Sequence, residues 1–445
     1  MLKRERREIP GTELVTRVCP WSSNSQPSVA NSRWGLARHE QFRNIMMRLG
    51  VSRMKIASLF SGIGGLEVGL HQAGHETLVF AENWSPAAAV LSRRFEGIPN
   101  EGDIARLKAL PGETELVTAG FPCQDLSQAG KTAGIRGKRS GLVEHVFRLI
   151  AKDKPRWVLL ENVSFMLQLD NGSAMARLVS GFEGARYRWA YRVVNSLSFL
   201  PHRRERVYFL ASLEGDPADV LLADEVEPPS ITTSLDTHAH GFYWTEGTRG
   251  LGWGRDCVPT LKNGSTLGIP SPPAILLTNS QIVTPEIRDA ERLQGLTADW
   301  TRPAENVVRP SFRWALVGNA VSTPVAAWVG QRLSSPAEYD RSRDHRVVAN
   351  GRWPKAARFD GKERREVHIS SFPQWKKRKS LEEFLRYPGT LLSARATAGF
   401  LSRIEKSSLR FVPDFKERVR SHLDHARALD EFLAGRKGRM LVAAE

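Results

Sequence analysis

Cysteine is scarce: Cys19, Cys123 and Cys257 are the only three in 445 residues. Thiols so few and so scattered exclude a disulfide framework and a Cys-rich zinc site. Long apolar runs are missing as well. None approaches the 18 residues that suggest a membrane span, so no transmembrane helix is expected. The opening residues, MLKRERREIPGTELV, are charged and lack the apolar stretch of a secretory signal. A reducing, cytoplasmic location fits these absences, and no metal is expected. Net charge is missing from the centre, where residues 54–333 carry 29 Lys and Arg against 29 Asp and Glu. The excess of +16 lies at the ends, +6 in residues 1–53 and +10 in residues 334–445. Basic ends can grip a phosphate backbone without reading its sequence.

What is present centres on GFPCQDLSQAG, Gly120 to Gly130. The apolar run Glu115–Ala119 reads as a short buried strand leading into it. Cys123, behind Pro122, is thus presented at a strand's carboxyl end, where open α/β sheets place their ligands. Upstream, Lys55–Phe60 reads as a buried strand. It runs into Ser61-Gly62-Ile63-Gly64-Gly65 and a helix, Leu66–Ala73. Glycines at such a turn let backbone approach a ligand beside the helix's first amides. The turn is not a dinucleotide fingerprint, because Glu67 stands where a third glycine belongs, and a nicotinamide oxidoreductase is disfavoured. A second strand, Glu76–Ala81, ends at Glu82. That acid lies 20 residues after Gly62, the position from which a carboxylate accepts both ribose hydroxyls. Pro86–Phe95 reads as a helix and Gly102-Asp103-Ile104 as a third strand end.

Beyond the cysteine, Lys131–Ser140 (KTAGIRGKRS) is a basic, glycine-rich loop of a kind that can close over DNA and contact phosphates. Gly141–Lys152 is an amphipathic helix. Arg156–Leu160 is another buried strand, ending in Glu161-Asn162-Val163. A strand at Tyr191–Val194 follows, then Pro201-His202-Arg203-Arg204-Glu205-Arg206 running into Val207–Ala211. Alternate strand residues share a face, so Arg204 and Arg206 can point at one site. Residues 212–285 are rich in Pro, Gly, Thr and Ser and lose helical periodicity. Their polar residues able to reach base edges are Arg249, Arg255, Lys262, Asn263 and Asn279, and Cys257 reads as packing. Pro285–Leu296 reads as a helix. GNAVSTPVAAWVG then forms a turn and a helix from near Pro324, expected to pack beside the first strand. After residue 334 come a basic linker with Trp375-Lys376-Lys377-Arg378-Lys379 and helices around Ala394–Lys406 and Pro413–Leu433. In the last of these Phe415, Val419, Leu423 and Leu429 share a face.

FSGIGG, Glu82, GDI, GFPCQ, ENV, PHRRER and GNAV occur in the order and at workable spacings of the DNA cytosine-5 methyltransferases, and residues 55–330 resemble that family. The family pattern Gln-x-Arg-x-Arg is met by Arg204 and Arg206, with His202 in place of Gln. The resemblance implies an α/β, Rossmann-like, doubly wound sheet that binds S-adenosyl-L-methionine. The cofactor would be held by Phe60, Gly62, Ile63, Gly64, Gly65, Glu82, Asp103, Ile104, Pro122 and Asn319. Asp103 is implied to take the adenine amino group, and Asn319 to lie beside the amino-acid end. Cys123, Glu161, Arg204 and Arg206 are the implied catalytic residues. Cys123 adds to carbon 6 of cytosine, Glu161 holds the ring nitrogen, and Arg204 is the candidate for the carbonyl oxygen. The target atom is unreachable in a stacked duplex, so the base must be flipped out.

The expected organisation has five parts. Residues 1–53 form a basic, disordered extension, and residues 54–211 the catalytic and cofactor domain. Residues 212–285 form a small loop-rich target-recognition region, and residues 286–333 complete the catalytic domain. Residues 334–445 form a basic helical extension. Met54, just ahead of the first strand, is an alternative start. The expected partner is double-stranded DNA, bound by a monomer, with a cognate restriction endonuclease as a possible companion. An RNA (tRNA) cytosine methyltransferase and a catalytically silent DNA-binding regulator are the alternatives.

Overall fold

The computed structural model describes residues 53–121, 142–230, 234–265, 268–346 and 353–442. The basic N-terminal extension, Pro122, Cys123 and the 131–140 loop lie outside the described residues. The first half of the chain alternates strand and helix. Its elements are β1 (Lys55–Leu59), α1 (Gly65–Gln72), β2 (Glu76–Ala81), α2 (Ser85–Arg94), β3 (Leu116–Ala119), α3 (Leu142–Asp153), β4 (Trp157–Val163), α4 (Ser173–Gly184), β5 (Arg188–Asn195), β6 (His202–Arg203) and β7 (Glu205–Ser212). All four residues of β3 and six of the seven in β4 are buried. Continuous burial of this kind marks strands covered on both faces. One face packs against α3 and α4 through Val146, Leu149, Leu178 and Phe182. The other packs against α1 and, from far along the chain, α7 (Thr323–Ser334) through Leu66, Leu70, Val325 and Val329.

The main sheet has nine strands among the described residues, ordered β13-β15-β14-β5-β7-β4-β3-β1-β2, where β13 (Asp344–Arg346), β14 (Ala356–Phe359) and β15 (Arg364–Val367) come from the C-terminal stretch. Strands β2, β1, β3 and β4 run parallel, and β7 enters antiparallel between β4 and β5. From β1 the chain first moves outward to β2, then returns to pair β3 on the other side of β1. That reversal opens a crevice at the carboxyl ends of β1 and β3, where open α/β sheets bind their ligands. This is the doubly wound sheet the sequence implies.

Helix α7 lies against α1 so closely that one residue decides the contact. A Cβ on Gly69 would sit 2.4 Å from the Thr323 carbonyl oxygen and 2.5 Å from the Ala326 Cβ. Only glycine allows this approach, which carries the GNAV turn ahead of α7 to the cavity.

The fold departs from expectation in three places. Gly102–Ile104 is irregular chain leading into a turn and not a strand; just ahead of it the chain makes an isolated bridge, Phe80 to Asn100. The region expected to be loop-built holds β8 (His240–Phe242), β9 (Gly254–Arg255), β10 (Val258–Pro259), β11 (Ala274–Leu276) and β12 (Ile282–Thr284). After α5 (Ile287–Leu293) and α6 (Arg313–Asn319), the C-terminal stretch supplies β13 (Asp344–Arg346), β14 (Ala356–Phe359) and β15 (Arg364–Val367) to the main sheet, besides the helices expected of it. These strands are short and charge-rich, so they carry no apolar signal. Arg358 on β14 pairs with Asp344 on β13, and Arg192 on β5 reaches the carbonyls of Ser370, Leu221 and Asp224.

A five-stranded sheet, β16-β12-β11-β8-β9, takes its β16 (Thr390–Leu391) from the C-terminal stretch. Helices α8 (Ala394–Glu405) and α9 (Phe415–Val442) cover it. Phe242, Leu276 and Ile282 share one core with Phe400, Phe415, Val419 and Leu423. Leu429, assigned to the same helix face, is 37% exposed. The C-terminal helices are therefore half of this module's core and not an appendage beside it.

Candidate active site

A cavity of about 590 Å³ opens at the carboxyl ends of β1 to β4. That volume falls within the roughly 300–1,000 Å³ of small-molecule sites. Phe60, Gly62, Ile63 and Gly65 line one side, Glu82, Asp103 and Ile104 the next, and Gly120, Phe121 and Glu161 the third. Asn319 and Ala320 close it from the turn between α6 and α7. Residues spread over 260 positions thus meet because most of them end or directly follow an element on the same side of the sheet.

The glycine turn is held under strain. Phe60 has φ 52°, a left-handed conformation that costs a non-glycine residue roughly 1–2 kcal/mol. Gly62 and Gly64 also have positive φ, of 54° and 78°. An added Cβ on Gly62 would meet nothing, because that position faces open cavity, whereas one on Gly64 would strike the Phe95 ring at 2.4 Å. The Trp300 indole donates to the Ile63 carbonyl at 3.0 Å and pins the turn from outside.

Glu82 is tied to that turn. Its Oε2 accepts the Gly62 amide at 2.8 Å and its Oε1 the Trp84 amide at 2.7 Å. Burial pushes its carboxyl up, against the backbone amides of Trp84, Gly62 and Asn83. Each oxygen keeps a second lone pair for an incoming hydroxyl. Asp103 accepts the Ala105 amide at 2.9 Å through Oδ1, which leaves Oδ2 for a ligand donor.

Glu161 is 7% exposed and lies within β4. Burial pushes its carboxyl up, with Arg206 and then Arg204 pulling it down. Arg206 Nε stands 3.3 Å from Glu161 Oε1, an ion pair without hydrogen-bond alignment. A Cβ placed on Gly120 would be 4.0 Å from Glu161 Oε2. The neighbouring Asn162 donates to the Phe121 carbonyl at 3.0 Å. So the acid-bearing strand grips the chain two residues ahead of Cys123.

The two arginines do different work. Arg204 is 2% exposed and donates from Nη1 to the Gly318 carbonyl at 3.2 Å and from Nη2 to the Ala320 carbonyl at 2.7 Å. Burial and the neighbouring Arg206 bring its guanidinium down to about 9. Both arginines line the cavity: the terminal nitrogens of Arg204 clamp the GNAV turn while its Nε keeps no partner, and Arg206 is the arginine against Glu161. His202 is fully buried. Its Nδ1 donates to the Leu293 carbonyl at 2.9 Å, and its Nε2 accepts the Leu261 amide at 3.2 Å. One donor and one acceptor are what a glutamine amide offers, so the histidine can stand where the family pattern has Gln.

Sequence reasoning gave no role at the site to Asn162, Trp300 or Glu67, and it did not place Asn263 in the cavity. Asn263, one of five candidates for base contacts, lines the cavity, and a Cβ on Gly318 would strike its amide nitrogen at 2.5 Å. Glu67 was legible only as a missing glycine. Among the described residues no group of His, Cys, Asp and Glu could hold a metal ion, and no helix is long and apolar enough to cross a membrane.

The residues suit S-adenosyl-L-methionine: a glycine turn open to the cavity, a carboxylate with free lone pairs at the end of β2, and an orphaned buried carboxyl oxygen on Glu67. Fold and site together define an S-adenosyl-L-methionine-dependent methyltransferase. The family model for C-5 cytosine-specific DNA methylase matches residues 54–242. Type II methyltransferase M2.BsuMI of Bacillus subtilis (strain 168) is 47% identical over 363 residues, 79% of this chain and 93% of that protein. Type II methyltransferase M.SsoII of Shigella sonnei is 26% identical over 312 residues, 64% of this chain and 80% of its own. The S. pombe Dnmt2 methyltransferase structure aligns with a TM-score of 0.49 at 17% identity, over 63% of this chain and 98% of that one. The chain belongs to the C-5 cytosine-specific DNA methylases, in the type II group.

Proposed function

We propose that this protein methylates carbon 5 of cytosine at a specific double-stranded DNA sequence, acting as a monomer in the cytoplasm and protecting its sites from a cognate restriction endonuclease. The observation that carries the reading is the meeting of Glu161, Arg206 and the Gly120–Phe121 lead-in in the cavity that the glycine turn also lines. Bound S-adenosyl-L-methionine supplies an electrophilic methyl group.

The protein's own task is to make carbon 5 a nucleophile. Burial favours the protonated form of Glu161, which can donate to the ring nitrogen of an extruded cytosine. Arg206 is the candidate for the carbonyl oxygen, in place of Arg204. The Cys123 thiolate then adds to carbon 6 as Glu161 gives up its proton, and electron density moves onto carbon 5. Once carbon 5 has taken the methyl group, a base removes the carbon 5 proton, the carbon 6–sulfur bond breaks to release the thiolate, and the ring nitrogen returns its proton to Glu161. Flipping costs a few kcal/mol, which phosphate contacts by the basic ends can offset. The 234–284 sheet with its covering helices is the candidate target-recognition module.

DNA carrying 5-fluorocytosine at the target tests the scheme, because fluorine blocks the final elimination. Wild type should form a trapped covalent complex and Cys123→Ser should not. Trapping that survives the substitution would place the nucleophile elsewhere. A labelled-methyl transfer assay on duplex DNA and on tRNA separates the RNA alternative, and transfer to neither substrate would favour a silent regulator. Bisulfite sequencing of DNA from expressing cells would return the recognition sequence.

A further inference from the structure

One buried carboxyl in the cavity has no part in the scheme above. Glu67, in the first turn of α1, is 1% exposed and lines the cavity floor with Ser58 and Ser61. Its Oε1 accepts from the Thr118 hydroxyl at 2.8 Å. Its Oε2 has no hydrogen-bond partner. The nearby Ser58 hydroxyl is directed at Ser61 Oγ, 2.9 Å away. The groups acting on the carboxyl are burial, which pushes it up, and the Ser58 and Thr118 hydroxyls with its own amide, which pull it down. An acceptor so enclosed is costly unless a donor reaches it.

The cofactor has two cationic centres. Its sulfonium carries no hydrogen to give, whereas its α-ammonium offers donors; a cation there favours the ionised carboxylate that burial alone disfavours, and a charged donor is what that orphaned oxygen accepts best. Glu82 stands at the end of β2, suited to the ribose, and Glu67 stands below the glycine turn beside β1 and β3. We propose that Glu67 is a cofactor-binding residue that receives the α-ammonium group of S-adenosyl-L-methionine. This rests on the cofactor reading above. It also accounts for an acid in the slot where a dinucleotide fold has its third glycine: the helix approaches no pyrophosphate there, and the buried side chain lies against the cavity wall.

Calorimetry on the full chain tests it without turnover, with S-adenosylhomocysteine and its deaminated analogue as probes. Wild type should bind the analogue about tenfold or more weakly than the parent, the range of a hydrogen bond to a charged group. Glu67→Gln keeps an acceptor for Thr118 and should lose about tenfold in affinity for S-adenosylhomocysteine while binding the analogue as wild type does, so the gap closes. If circular dichroism shows that variant unfolded, Glu67→Asp, which withdraws the charge by one methylene, is judged by the same gap. Equal binding of the two probes by wild type, or an unchanged gap in a folded variant, overturns the proposal. Failure of wild type to bind S-adenosylhomocysteine at all would instead overturn the cofactor reading.

Discussion

At the residue scale the site separates groups that act from groups that hold. Glu161 and Arg206 face the cavity, and their removal should cost rate. Glu161→Gln is expected to lower kcat by about 10²–10⁴, the usual span for losing a general acid, while S-adenosylhomocysteine binds as before. Equal loss of binding and rate would make Glu161 a structural residue. His202 belongs to the second kind and titrates far from its ordinary value. Burial, with Arg204 and Arg206 beside it, brings the ring from 6.5 down to about 3. The unfolded chain takes up this proton below about pH 6.5 and the folded chain does not until about pH 3. Its contribution to stability is therefore complete above 6.5 and falls with pH through that window, by up to about 1.4 kcal/mol per unit. His202→Gln keeps both contacts and removes the titration. Urea midpoints measured from pH 7 to pH 5 should fall less for the variant than for wild type, and parallel curves would show that the ring is not held neutral.

At the scale of elements, two close fits bring the GNAV turn to the cavity. The first is the α1–α7 contact at Gly69. Gly69→Ala must push α7 outward and should destabilise by about 1–3 kcal/mol, read from thermal melts. The second is the Arg204 clamp on the Gly318 and Ala320 carbonyls. Arg204→Ala leaves both carbonyls without their partner. It should lower the melting temperature and weaken S-adenosylhomocysteine binding, whereas Arg206→Ala should spare both and lose rate. The reverse pattern would restore Arg204 to the substrate. The parallel strands were legible, because strands covered on both faces read as unbroken apolar runs. The short strands β8 to β16 were not. Each has two to four residues and is held by its partners rather than by its own pattern, so no period is long enough to see.

At the scale of the whole molecule, the chain's last part is built into both sheets. Strands β13 to β15 extend the main sheet, and β16, α8 and α9 complete the smaller one. A chain ending at residue 393 would leave Phe242, Leu276 and Ile282 uncovered. It is expected to show fast hydrogen exchange across 240–284 and to lose specific DNA binding, with slow exchange kept in β1, β3 and β4. Protection of 240–284 in the shortened chain would return α8 and α9 to the status of an appendage.

The order of motifs along the chain determined the family, the cofactor and the cavity's main walls. Strand-end residues follow from strand positions, and all strands of one parallel sheet end on one side. Which of two alternate arginines meets Glu161, that Asn162 and Trp300 anchor the two loops, and that residues 394–423 cover strands lying between 240 and 284 were decided only by the tertiary structure. Those facts depend on contacts between segments remote in sequence, and neither periodicity nor composition encodes a partner's identity.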